Sequence, residues 1–293
     1  MAIRQLGYLI FGSSDVKGWQ QLAETVIGLA PSQAGDGSLY LKMDDRDYRI
    51  AVVEDKSERL VASGWEMASQ ADFENARARF TQEGIAWHQC NAAELSFRKV
   101  RDCIWLPDPA GNRIELYWGP ISAFRPFSAP AGIAATFETG DNGLGHVVLP
   151  ADDLAASQAF FERTLGFELS DTITMQFGPG LVDVNFNHCA NARQHSLALA
   201  GMPSPNGCVH FNVEVSSLKE LGMALDRVEE AGHPLVLTLG QHVNDDCVSF
   251  YFLSPHGFMI EIGFGGMLKD WSRHSVFETT RPSHWGHRFV LGQ

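Results

Sequence analysis

Three side chains far apart in the chain carry the strongest chemical signal: His146, His210 and Glu261. Each falls in a stretch that reads as a β-strand. His146 follows Leu144-Gly145, His210 sits in the alternating run Cys208–Val215, and Glu261 lies within Phe258–Gly263. Strand residues of the same facing converge on one side of a curved sheet, so sequence separation is no obstacle to a common site. Two imidazoles and one carboxylate leave three cis positions open on a bound metal. That suits non-haem iron(II) holding substrate and dioxygen together, whereas zinc usually takes tetrahedral ligation with fewer open places. A single strand histidine is more often a satisfied core or surface residue than a ligand. Three such residues on equivalent strands of repeated modules are another matter.

The repetition is legible directly. Leu6–Leu29 lies without gaps on Leu144–Phe167, with identities at Leu6/Leu144, Gly7/Gly145, Asp15/Asp153, Gln20/Gln158, Glu24/Glu162 and Gly28/Gly166. Further on, Asp102–Gly119 matches Val248–Gly265, where Pro109/Pro255, Gly111/Gly257, Ile114/Ile260, Glu115/Glu261 and Gly119/Gly265 agree. Two matches in the same order indicate a duplicated domain. In the first copy Tyr8 stands where His146 does, and His210 falls near Ala62, so one metal per chain is expected. Glu115 reads as a relic ligand position now making hydrogen bonds. Ten of the eleven histidines follow residue 145, with only His88 before it, which also places the chemistry in the second copy.

Each copy shows the same element rhythm. An apolar strand such as Gly7–Phe11 meets Ser-Ser-Asp or Ala-Asp-Asp, an N-cap signal. The helix that follows carries apolar residues at helical spacing: Trp19, Leu22, Ala23, Val26 and Ile27, or Ala159, Phe160, Thr164 and Leu165. Gly28 and Gly166 are the expected C-caps. Later come helices at about 72–84 and 217–232, then hairpins turned at 109–112 and 255–257. The pattern is two β-α-β-β-β units per half, with residues 120–142 as linker.

Composition bounds the rest. With 293 residues and 45% apolar content the chain suits two globular domains, expected at 1–130 and 136–293, the latter including a C-terminal tail. A net charge of −13 without a basic stripe argues against a nucleic-acid partner. The longest early apolar run, Leu6–Gly12, is too short for a signal segment, and nothing approaches the ~20 apolar residues of a membrane span. Cys90, Cys103, Cys189, Cys208 and Cys247 show no paired spacing and read as reduced thiols of a cytoplasmic protein.

Duplicated β-α-β-β-β modules with this His/His/Glu set resemble the vicinal oxygen chelate superfamily. From Ile3–Tyr8 to Trp285-Gly286-His287 the chain resembles its type I extradiol ring-cleaving dioxygenases, the two-domain 2,3-dihydroxybiphenyl 1,2-dioxygenases in particular. Leu239–Tyr251 carries the most specific likeness, supported by Arg193–Ala198 and by Glu261 followed by Gly263. The resemblance implies an α+β fold of two homologous domains, each of two βαβββ modules forming a curved, partly closed sheet. It implies Fe(II) on His146, His210 and Glu261, and His195 as acid/base. It implies His242 and Tyr251 as partners of the catechol oxygens, with the polar residues Asn244 and Asp245 beside them. Phe186, Met175, Met202 and Pro282 align with ring-pocket positions. The implied reaction inserts both atoms of O2 into a catechol, giving a 2-hydroxy-6-oxo-dienoate, and the implied assembly is a homo-octamer. Gln241, Asp246 and Ile262 depart from the family pattern, though Ile262 should face away from the metal. His88, His188, His233, His256, His274, His284 and His287 receive no role.

Two rival readings use the same fold. One is a glyoxalase-like isomerase or transferase with another metal and often a fourth protein ligand. No second carboxylate at Tyr8 or Ala62 completes such a set, and His195, His242 and Tyr251 would be unexplained. The other is a non-catalytic protein that sequesters an aromatic ligand, which has no need of an open metal site.

Overall fold

The computed structural model describes residues 2–122, 125–177, 180–273 and 275–291; His274 lies outside them. The first half opens with β1 (Ile3–Ser13) and α1 (Val16–Leu22), whose start is capped by the Asp15 carboxylate accepting from the Gly18 amide. A π-helical turn, Ala23–Ile27, follows and stops at Gly28, whose φ of 93° is left-handed. Then come β2 (Ala30–Gln33), β3 (Leu39–Lys42) and β4 (Ile50–Glu54), completing one βαβββ module. A second consists of β5 (Arg59–Met67), α2 (Gln70–Glu83), β6 (His88–Gln89), β7 (Val100–Pro107) and β8 (Arg113–Pro120), with an extra helix α3 (Ala92–Arg98) before β7. That insertion has no precedent in the repeat pattern.

The second half repeats the order. β9 (Val147–Pro150), α4 (Leu154–Phe160) with a π turn at Phe161–Leu165, β10 (Glu168–Phe177), β11 (Gly180–His188) and β12 (Leu197–Ala200) form its first module. β13 (His210–Val215), α5 (Leu218–Glu230), β14 (Leu235–His242), β15 (Val248–Leu253) and β16 (Met259–Phe264) form its second. The tail adds β17 (Phe277–Thr279) and β18 (Ser283–Trp285). Strands of the first half run β2-β3-β4-β1-β5-β8-β7-β6; those of the second run β17-β10-β11-β12-β9-β13-β16-β15-β14-β18. The tail therefore supplies both edges of the larger sheet and straps them together.

Two local expectations shift. His146 sits one residue ahead of β9 rather than within it. On α4 the buried side chains are Ser157, Phe161 and Leu165, not Ala159 and Thr164. The first half buries the equivalent positions Trp19, Ala23 and Ile27 beside the same kind of π turn, so the inward stripe is common to both copies.

One apolar core runs through both halves. Phe11 of β1 lies 5.3 Å from Trp19, and across the junction 5.1 Å from Phe211 and 4.9 Å from Phe258 (ring centroids). Trp65 meets Phe167 edge-on at 4.9 Å. The linker is also tied down: the Glu138 amide donates to the Glu214 carbonyl, and the Ser216 amide to the Thr136 carbonyl. No helix of the described residues is long and apolar enough to cross a membrane. Removing the Phe11 ring empties a site both halves share. Phe11→Ala is expected to cost about 3–5 kcal/mol in urea unfolding while keeping a single transition; Leu181→Ala, on the surface, should stay within about 0.5 kcal/mol. Two separated transitions in Phe11→Ala would show the halves to be independent.

Candidate active site

Strand register brings the distant residues together. β13 and β16 are parallel neighbours with Asn212 opposite Glu261, and β15 sets Tyr251 directly opposite Glu261. β9 runs antiparallel to β13, with Val148 opposite His210. Side-chain alternation then sends His210, Glu261 and Tyr251 to the concave face, while Phe211, Phe250, Phe252, Ile260 and Ile262 enter the core. Ile262 thus faces away from the site, as its position after Glu261 requires. His146 reaches the same face from the chain just ahead of β9, where Gly145 has φ 137°. A Cβ at Gly145 would stand 2.4 Å from the Asn212 carbonyl oxygen, so only glycine lets the two backbones pass this closely.

His146 Nε2 lies 3.0 Å from Glu261 Oε2 and 3.2 Å from His210 Nε2, and His210 Nε2 is 3.5 Å from Glu261 Oε2. Donors sharing one ion at bonds of about 2.0–2.2 Å stand roughly 3 to 3.5 Å apart. Glu261 Oε2 is buried yet accepts no hydrogen bond, an orphaned anion oxygen of the kind a cation completes. Among the described residues this trio is the group able to hold a metal ion. The residues present fit a bound cation.

Around the trio stand the other expected residues. His242 Nε2 is 2.7 Å from the Tyr251 hydroxyl and 3.4 Å from Glu261 Oε1, and its Nδ1 is 3.1 Å from the Pro282 carbonyl. Since a carbonyl can only accept, His242 Nδ1 carries a hydrogen. His195 stacks over His146 at 4.3 Å between ring centroids, with Phe186 edge-on at 4.9 Å. Its Nδ1 lies 2.7 Å from Gln194 Oε1 and 3.9 Å from Asp245 Oδ2. Asn244 Nδ2 is buried without a hydrogen-bond partner.

Burial dominates the electrostatics. It pushes the His195 imidazole well below its ordinary range, helped by the imidazole of His146. The Asp245 carboxyl is raised by burial to about 6, with His242 pulling the other way. Tyr251 is driven well above the usual phenol range by burial and the Glu261 charge. Burial alone would raise Glu261, but the neighbouring imidazoles of His146, His210 and His242 hold it well below the carboxylate range. Burial disfavours charge on His242 too, yet Glu261 prevails and raises it.

These groups floor a cavity of about 250 Å³. Met175, Phe186, Met202 and Pro282 line it, so all four ring-pocket positions converge there, together with Asn244 and Asp245. Sequence reasoning missed much of the wall. Ile173 beside Met175, and Val182 and Val184 before Phe186, follow strict period-two alternation on β10 and β11, a signal that was there to be read. Thr279, Ser283, His287 and Phe289 also line it, and nothing local in the tail foretells that. His287, given no role above, lies 4.1 Å from His242 between ring centroids. Of the departures from the family pattern, Gln241 accepts from Trp285 Nε1 and donates to the Asp246 carbonyl, and Asp246 faces His284. Both lie on the outer side of the strap.

The first half shows the same position without a site. Tyr8, at the place of His146, donates to Glu115 Oε2 at 2.6 Å. Arg98 grips both oxygens of Glu115, at 2.6 and 2.5 Å, and Arg113 adds a bond of 2.6 Å. Arg98 comes from α3, the inserted helix. Two guanidiniums and a phenol occupy the space that two imidazoles leave open in the second half.

Comparison with known proteins agrees with this picture. Residues 6–54 match the family model Dihydroxybiphenyl dioxygenase BphC D1, and residues 143–262 match the Glyoxalase/Bleomycin resistance protein/Dioxygenase superfamily. The chain is 35% identical over 292 residues to a 3-methylcatechol 2,3-dioxygenase of Pseudomonas putida, covering 99% of each. It is 37% identical over 296 residues to a biphenyl-2,3-diol 1,2-dioxygenase of a Pseudomonas species, covering 100% of each. With an iron-dependent extradiol dioxygenase of Rhodococcus jostii it shares 36% identity over 302 residues, covering 100% of this chain and 99% of the relative. The crystal structure of BphC, a halotolerant catechol dioxygenase, superimposes with a TM-score of 0.90 at 30% identity, covering 99% of this chain and 95% of that one. Full-length likeness of this order, over a fold whose second half gathers two histidines and a glutamate beneath an apolar cavity, makes the chain a member of the extradiol ring-cleaving dioxygenases of the vicinal oxygen chelate superfamily.

Proposed function

We propose that the chain cleaves 2,3-dihydroxybiphenyl, or a related bicyclic or 3-substituted catechol, with both atoms of O2 to a 2-hydroxy-6-oxo-dienoate. Catalysis belongs to the unit 136–293 on Fe(II) held by His146, His210 and Glu261; the unit 1–130 carries no metal. The observation that carries this reading is the polarity gradient of the cavity, with apolar walls above and its titratable groups other than His287 gathered around the three-donor floor. Relatives named for biphenyl-2,3-diol, 3-methylcatechol and 1,2-dihydroxynaphthalene support a catechol bearing a second ring or a 3-substituent. A relative named as iron-dependent supports the metal. The reading extends to a cytoplasmic homo-octamer, as the likeness to the extradiol dioxygenases implies.

Held by His146, His210 and Glu261, Fe(II) would supply a reduced metal able to bring a catechol and dioxygen together. The chain's own residues do the rest. Gln194 accepts the Nδ1 hydrogen of His195, which leaves the Nε2 lone pair as the place to accept a proton, and burial disfavours charge on that imidazole until one is transferred. Tyr251 and His242 share a hydrogen between them at 2.7 Å, a pair able to accept or return a proton at a bound catechol oxygen. Asn244 offers an unspent donor. Phe186, Met175, Met202 and the valines beside them exclude water and orient the ring by contact alone.

Wild-type protein should bind one iron per chain, and Glu115→Gln should keep it; Glu261→Gln and His210→Ala should lose it. Iron persisting in the latter two, by metal analysis, would refute the ligand set. Anaerobically prepared, iron-loaded protein should consume one O2 per 2,3-dihydroxybiphenyl and yield a yellow product, on an oxygen electrode and by absorbance. No uptake with any catechol of that class would end the reading. His195→Ala should retain iron but turn over roughly 10²–10⁴-fold more slowly; parallel loss of iron would argue that His195 serves the metal instead.

A further inference from the structure

His242 is steered in its own plane by hydrogen bonds to Pro282 and Tyr251. Those bonds leave its faces free. Tyr251 stands edge-on to it, at 86° and 6.0 Å. The aromatic ring laid along a face of His242 is that of His287, 4.1 Å away and tilted 35°.

Both nitrogens of His287 are committed elsewhere. Nε2 is 3.0 Å from the Ser249 carbonyl, which can only accept, so Nε2 carries the hydrogen and donates. Nδ1 then accepts from the Ser283 hydroxyl at 2.8 Å. No nitrogen remains for metal or substrate, and the ring presents only its face to His242. The backbone is built to hold it there. His287 has φ 48°, and Gly286 before it has φ 72°, a left-handed pair that costs a non-glycine residue. A Cβ on Gly240 would lie 2.4 Å from the backbone nitrogen of His287, and one on Gly286 would lie 2.1 Å from the Leu239 carbonyl oxygen. Two glycines thus let the tail lie directly on β14, the strand that ends in His242.

We propose that His287 is a positioning residue for ring cleavage: a fully hydrogen-bonded imidazole that clamps the face of His242 and aims its Nε2 at Tyr251 and the catechol oxygens. The catalytic part of the claim rests on the ring-cleavage reading above; the clamping does not.

Three substitutions separate clamping from mere stability. His287→Phe keeps a flat ring over His242 but forfeits both hydrogen bonds, and a bulky residue resists the left-handed backbone. His287→Asn accepts that backbone readily and can still hydrogen-bond, but covers no face. His287→Ala does neither. In crystal structures of the iron-loaded variants the 2.7 Å contact of His242 with Tyr251 should persist in Phe and open in Asn and Ala. With iron content unchanged, kcat for 2,3-dihydroxybiphenyl should stay near wild type in Phe. It should fall by about 10²-fold in Asn and Ala, the scale of a misplaced catalytic group, while KM moves less. A contact preserved in the Asn variant overturns the proposal whatever the activity, as does activity that follows Tm across the three. If wild-type protein leaves every catechol intact while the contact follows the expected order, ring cleavage is wrong and the clamp stands.

Discussion

A carboxylate buried to 1% exposure inside a protein must be compensated, and Glu261 is such a group. The structure around it can be understood as the answer to that demand. Imidazoles from the start of β9, from β13 and from the end of β14 converge on its two oxygens. One oxygen still lacks a hydrogen bond. The first half meets the identical demand at Glu115, which is wholly buried, with two guanidiniums and a phenol. The outcomes differ in kind. Fixed positive charges close the first site into a structural knot, whereas imidazoles, which unlike guanidiniums can give up their protons, leave the second anion available to a cation.

Few residues separate the two copies at this position. Tyr8 and Ala62 stand where the second half has His146 and His210, and α3 brings Arg98 onto the carboxylate. Because one core joins the halves through Phe11, Phe211 and Phe258, the first half is part of what holds the second in shape.

The cavity above the site is made by strand alternation below and by the tail at the side. β10 and β11 offer every second side chain to its wall. The tail pairs with β10 at one edge through β17 and with β14 at the other through β18. Asp171, nearly buried, anchors the β17 end by accepting from the Thr279 amide and hydroxyl. These short strands cover the longer edges of β10 and β14 and help enclose an apolar space in which hydrogen bonds and charges act strongly.

Much of this was legible in the sequence, and for a local reason. Caps at Asp15 and Asp153, stops at Gly28 and Gly166, turns at Gly111 and Gly257, and the alternation around His210 and Glu261 are all set by neighbours within a few residues. Duplication then aligned those local signals and exposed the trio. What the sequence could not disclose depends on contacts between distant segments. Arg98 reached Glu115 only because α3 packs beside β7. Gln194 is adjacent to His195, yet its amide becomes a partner only through the fold of that loop. His287 lies 38 positions from the serine whose carbonyl holds it, and nothing periodic links them. Backbone periodicity decides which face a residue occupies; which other residues share that face is decided only when the sheets close.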